Sequence, residues 1–232
     1  MDSARAGQLA VVGNARLTAL TGALLLVLLL IELVTVPDVS DLLAAHVFLG
    51  TLLVAPLVVK LASTGYRALR YYTGSTAYVR AGPPPLPLRL LAPLLVADTL
   101  VLFGTGIALL VTGPTQDEGL RFAHVVSFMI WLPLTAVHVV AHLPRTAETI
   151  ADDWGESAPR TGGREMRLAL VGVALVAGVG LAALVQDAAA PWIIWSGQGE
   201  TGPRPFMLGL VVATIVVSAV GLLGLRPLRW SR

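Results

Sequence analysis

Four histidines, His46, His124, His138 and His142, are the residues in this 232-residue chain most suited to chemistry. One apolar stretch holds His46, and a second holds the other three. An imidazole offers a lone pair to a metal or a proton to a relay, and ionisable groups inside apolar segments are costly enough to mark a site. The spacing adds to this. His124 and His138 are 14 residues apart, close to four helical turns. They therefore leave one helix face about 21 Å apart along the axis. His142 follows one turn later on that face. Lys60 stands 14 residues after His46, so the first stretch repeats the interval with a different side chain.

If the two stretches run in the same direction, His46 and His124 face each other at one depth. Paired imidazoles at one level suit the axial positions of a haem iron, and a second level about 21 Å away would stack a second haem across a membrane. Small residues, Gly50 after His46 and Thr135 before His138, leave space for a flat macrocycle. The plainer reading of one buried histidine is a hydrogen bond to a neighbouring helix. All the histidines falling in two segments, with a matched pair, favours ligation. Zinc held by histidine alone is disfavoured, because no carboxylate shares these faces.

The outer pair, His46 with His124, is the better specified. Three arrangements are open at the inner level. His138 or His142 pairs with Lys60, one of them holds a five-coordinate haem, or a single haem is bound and Lys60 reaches to the inner surface. Arg67, Arg70 and Arg145 are candidates for haem propionates, or ordinary basic flanks.

These residues need helices that cross a bilayer. The chain is 56% hydrophobic and 13% charged, with a mean hydropathy of +0.79. That excludes both a soluble globular domain and a disordered chain. Six stretches are apolar over about 20 residues, the length a spanning helix needs. They cover 17–36, 42–62, 88–111, 120–143, 166–186 and 206–225, and prolines bound most of them. The expected fold is all-α, an integral membrane protein of six transmembrane helices. The first stretch runs on through Glu32 with no small-x-small cleavage site after it, and reads as an uncleaved helix. The absence of cysteine rules out disulfides, thiolate metal sites and covalent c-type haem.

Fourteen of the sixteen Lys and Arg residues fall in the N-terminal segment, the second-to-third and fourth-to-fifth connections and the tail, against Arg121 and Arg204 on the other side. This bias places both termini in the cytoplasm. The net charge of +2 then reports lipid and topology rather than nucleic acid. Residues 63–87, with Tyr66, Arg67, Arg70, Tyr71 and Tyr72, read as a segment on the inner leaflet. Trp192 and Trp195 read as interface anchors.

The runs His46-Val-Phe-Leu-Gly50, Lys60-Leu-Ala-Ser-Thr-Gly-Tyr-Arg67 and Arg70-Tyr-Tyr-Thr-Gly74, with the stretch from His124 to His142, resemble bacterial cytochrome b/b6-type membrane proteins related to cytochrome b561. The resemblance covers residues 15–145. It implies a four-helix haem-binding core that passes electrons across the membrane, serving a quinone pool or an extracytoplasmic redox partner such as a molybdopterin oxidoreductase. It also implies one or two haem b groups, with His46, His124 and His138 as ligands. The family's fourth histidine is missing here. By this reading 146–165 is a cytoplasmic linker and 166–232 an added two-helix segment, with small-residue spacings Ala174-x-x-x-Gly178 and Gly209-x-x-x-Ala213 that permit close helix approach.

Asp98, within the third span, suits proton release at a quinol site, or a hydrogen bond through Thr99 or Thr105. Glu32 is expected to reach the outer interface, and Phe128 and Trp131 to pack. Two other functions compete with electron transfer. One is a membrane anchor for a redox enzyme. The other is a proton-coupled transporter using Asp98 and the histidines, which the absence of paired broken helices disfavours.

Overall fold

The computed structural model describes residues 3–114, 118–155, 163–196, 209–212 and 214. The helices are α1 (Ser3–Thr35), α2 (Leu43–Tyr72), α3 (Thr76–Ala81), α4 (Leu86–Thr112), α5 (Glu118–Trp154), α6 (Arg164–Val185) and α7 (Ala190–Ser196), and no strand occurs among the described residues. Among the described residues, five stretches are long and apolar enough to cross a membrane: α1, α2, α4, α5, and α6 continued through α7. The protein is therefore an all-helical, multi-pass membrane protein. Most of the sixth expected stretch, 206–225, lies outside the described residues. Of its described part, Leu210 and Val211 pack on Trp131 and Leu132 of α5.

Helix ends follow local chemistry. Pro85 precedes α4 and Pro87 lies in its first turn, where a missing N–H costs nothing. Gly113 closes α4 at φ 76°, a left-handed conformation that favours glycine, and its N–H donates to the Leu109 carbonyl at 3.0 Å.

Two helices run past the spans expected of them. α2 continues through 63–72, so only the short α3 forms a separate element in the stretch expected along the inner leaflet. α5 continues through Pro144 to Trp154, so residues 146–154 form its last turns and are not a linker. Tertiary contacts account for this extension. Asp153 pairs with Arg16 of α1 at 2.8 Å and accepts two bonds from Arg167 of α6 at 2.9 and 3.0 Å. The three side chains are 6–13% exposed, so one carboxylate between two guanidiniums ties three helices together. Residues 156–162 of the expected linker lie outside the described residues.

α1 is central, packing on α2 and α5. α6 backs onto α2, and α4 onto α5, while α2 and α5 make at most marginal contact with each other. The α2–α6 contact is close at Gly178, where a Cβ would collide with the Leu52 carbonyl oxygen. Trp192, expected as an interface anchor, is instead buried, and its Nε1 donates to the Leu109 carbonyl at 2.9 Å, pinning α7 to α4. Trp195 stacks edge-on against it and lies under the Arg121 guanidinium. Much of the outer surface of α4 is exposed and apolar, as a lipid-facing helix requires.

Candidate functional site

The hairpin between α1 and α2 positions His46. Glu32 and Thr35 end α1, His46 begins α2, and the tight connection brings them to one depth. The Glu32 carboxylate lies 2.7 Å from His46 Nδ1, with Thr35 Oγ1 3.0 Å from the same nitrogen. The Thr35 hydroxyl proton is already donated to the Glu32 carbonyl at 2.7 Å, so toward the imidazole Thr35 can only accept. Nδ1 therefore carries the proton, and the Nε2 lone pair is left over.

The hairpin between α4 and α5 repeats this design with different residues. His124 Nδ1 lies 3.1 Å from the Leu102 carbonyl and 3.0 Å from Thr105 Oγ1, whose own proton goes to the Val101 carbonyl at 2.8 Å. A carbonyl only accepts, so His124 is also protonated at Nδ1. Gly106 makes room for the ring, since a Cβ there would lie 3.1 Å from His124 Cε1. His46 and His124 are near enough to interact electrostatically, although their helices hardly touch. Among the described residues neither Nε2 makes a hydrogen bond. Each imidazole is thus held by one nitrogen and presents the other, which is how metal-bound histidines are oriented.

Glu32 does not simply reach the interface, as the sequence suggested. It holds His46, and its second oxygen, Oε2, is buried with no hydrogen-bond partner among the described residues. Its depth match with His46 across the hairpin was available in the sequence. So was that of Thr105 with His124, whereas the Leu102 carbonyl carries no side-chain signal.

The other end of the bundle is built differently. The His138 and His142 rings lie 4.6 Å apart, tilted by 44°, and the Thr135 hydroxyl, one turn before His138, is buried without a hydrogen-bond partner among the described residues. Lys60 interacts electrostatically with both histidines, but its Nζ donates to the Thr18 carbonyl of α1 at 2.8 Å. It is therefore held inside the bundle rather than extended to the surface, in space left by Gly22, where a Cβ would lie 2.8 Å from Nζ. Arg67 and Arg145 lie near His142 and line a cavity, whereas exposed Arg70 turns away to donate to Ser75 Oγ at 3.1 Å. Tyr78 of α3 packs edge-on against Tyr66. Burial and the neighbouring Tyr66 raise its phenol above the usual tyrosine range, with Arg70 and Arg67 opposing.

Asp98 finds its partner across the α4–α5 interface, accepting from Ser127 Oγ at 2.8 Å rather than bonding to Thr99 or Thr105. Trp131 donates to Thr99 at 2.9 Å, so it both packs and bonds. Among the described residues no three metal-donor side chains gather in one group. A metal needing three or four protein ligands is poorly served by such a set. A haem iron already has four porphyrin nitrogens and asks for only two, and the outer imidazole pair fits it on donor type and free nitrogen. The chain matches no known family model, no curated protein and no solved structure.

Proposed function

We propose that this protein is a b-type cytochrome that transfers electrons across the membrane, with haem held at the outer level by His46 of α2 and His124 of α5. The observation that carries the reading is the matched pair of imidazoles, each anchored at Nδ1 by an acceptor and each with Nε2 unbonded. Bound haem would supply a one-electron iron couple. The protein's part is orientation and electrostatics. Glu32 places a carboxylate on the proton of His46, which makes that ring the more electron-rich ligand, while the neutral Leu102 carbonyl holds His124. Gly106 keeps bulk away from the His124 ring.

Arg67 lies 21 residues beyond His46, about 31 Å along α2, which is out of reach of propionates on an outer haem. At the inner level the Lys60 ammonium is engaged by Thr18, so a second haem there would depend on His138 or His142 alone. By the charge bias the outer level is extracytoplasmic, where a redox partner would dock. A quinone pool is the proposed partner on the membrane side.

The test is a pyridine haemochrome assay on purified protein with quantified chain. One haem per chain is expected, removed by H46A and by H124A and retained by H138A. Two haems, of which H138A or H142A removes one, would place a second group at the inner level. Unchanged haem content in both H46A and H124A would refute the outer site.

A further inference from the structure

A haem edge carries two propionates, and a site in a bilayer must meet their charge. Arg67 and Arg70 lie at the opposite end of α2 from His46. At the outer level the helix ends and connections carry Glu32, Asp38, Asp41, Glu118 and Asp187, and among the described residues Arg121 is the one Lys or Arg there. It stands one turn before His124 on α5, about 4.5 Å further out along the axis. Its charge is little used. The ion pair with Glu118 is 4.0 Å long, and that carboxylate is 96% exposed. Arg121 Nε is buried and donates to nothing among the described residues.

The side chain is nevertheless fixed in place. The guanidinium carbon lies 4.7 Å from the centre of the Trp195 ring, and Trp195 packs edge-on against Trp192, which is bonded to the Leu109 carbonyl of α4. The same segment reaches the other histidine. α7 packs on α2, and Gln186 Nε2 donates to the Ala44 carbonyl at 3.2 Å, two residues before His46. Residues 186–196 thus bridge the start of α2 to the end of α4 and hold a cation one turn outside the imidazole pair. A buried donor left unbonded is costly until an acceptor arrives, and a planar guanidinium matches the two oxygens of a carboxylate.

Resting on the outer haem proposed for His46 and His124, we infer that Arg121 anchors a propionate of that haem and that Trp195 positions the guanidinium. The positive charge also favours the reduced iron, which carries one charge fewer than the oxidised.

The experiment titrates haem and haem dimethyl ester, whose propionates are uncharged, into full-length apo-protein at the Soret band, and follows the loaded protein by potentiometric titration. R121Q should weaken haem binding at least about tenfold, as loss of a charged hydrogen bond implies, and leave the ester's affinity at the parental value. R121K should recover part of the loss. W195L should weaken haem binding by about threefold, the scale of an exposed cation–π contact, again without effect on the ester. The reduction midpoint of R121Q should lie below the parent's. Parental haem affinity in R121Q, with haem still lost in H46A, would overturn the anchor and leave the outer ligands standing. An equal loss of haem and ester in R121Q would make Arg121 a packing residue and overturn its role. Failure of the parent to bind either porphyrin would overturn the haem reading and the anchor with it.

Discussion

The two outer histidines are held by unlike partners, so their supports should fail unequally. In the parent, Nδ1–H of His46 has the Glu32 carboxylate at 2.7 Å and Thr35 Oγ1 at 3.0 Å. Replacing Glu32 by Ala leaves only the hydroxyl, which is neutral and already committed as a donor to the Glu32 backbone. Loss of such an orienting partner typically weakens metal binding by about 10–100-fold, or roughly 1.4–2.7 kcal/mol. The site is only partly exposed, at 26% for His46 and 12% for Glu32, so solvent replaces the lost acceptor poorly. T105V removes one of two acceptors from His124 but keeps the Leu102 carbonyl at 3.1 Å, so the cost should stay within about threefold. Titration of haem into apo-protein, followed at the Soret band, gives both affinities, with circular dichroism checking that helix content is unchanged. E32Q, whose amide oxygen can still accept, should fall between the parent and E32A. Parental affinity in E32A, or a loss in T105V as large as that in E32A, would refute the assignment of Nδ1 as the held nitrogen and Nε2 as the offered one.

Other consequences bear on the frame that carries the site. D153A leaves Arg16 and Arg167 buried without their carboxylate and should destabilise the protein by about 3–5 kcal/mol, read as a lower denaturant midpoint. D153A together with R16M and R167M should recover much of that loss. G178A forces a Cβ against the Leu52 carbonyl and should cost about 1–3 kcal/mol by separating α2 from α6, with thermal unfolding as the measure. The raised phenol of Tyr78 means the folded state holds that proton more tightly than the unfolded chain. Stability should therefore be full below the ordinary tyrosine range, about 10, and fall as pH rises above it, and Y78F should remove that part of the slope.

The amino-acid sequence alone determined the class of molecule. Runs of apolar residues longer than about 20 can bury their backbone polarity only as helices in a bilayer, so a multi-pass helical protein follows from composition, with five such helices among the described residues. It also set the expectation that His46 and His124 lie at one depth, because helical rise and turn convert residue number into height and face. Other features depended on which helices pack together. Pro144 and the polar residues after it argue for a helix end, yet α5 continues because Asp153 is claimed by α1 and α6, and that pairing has no local signature. Glu32 looked like an interface residue until the α1–α2 hairpin closed it onto an imidazole. Lys60 looked free to snorkel until Gly22 let it reach the Thr18 carbonyl. A side chain's chemistry is written in the chain, but its partner in a bilayer is chosen by helix contact, since no water is present to make every choice equivalent.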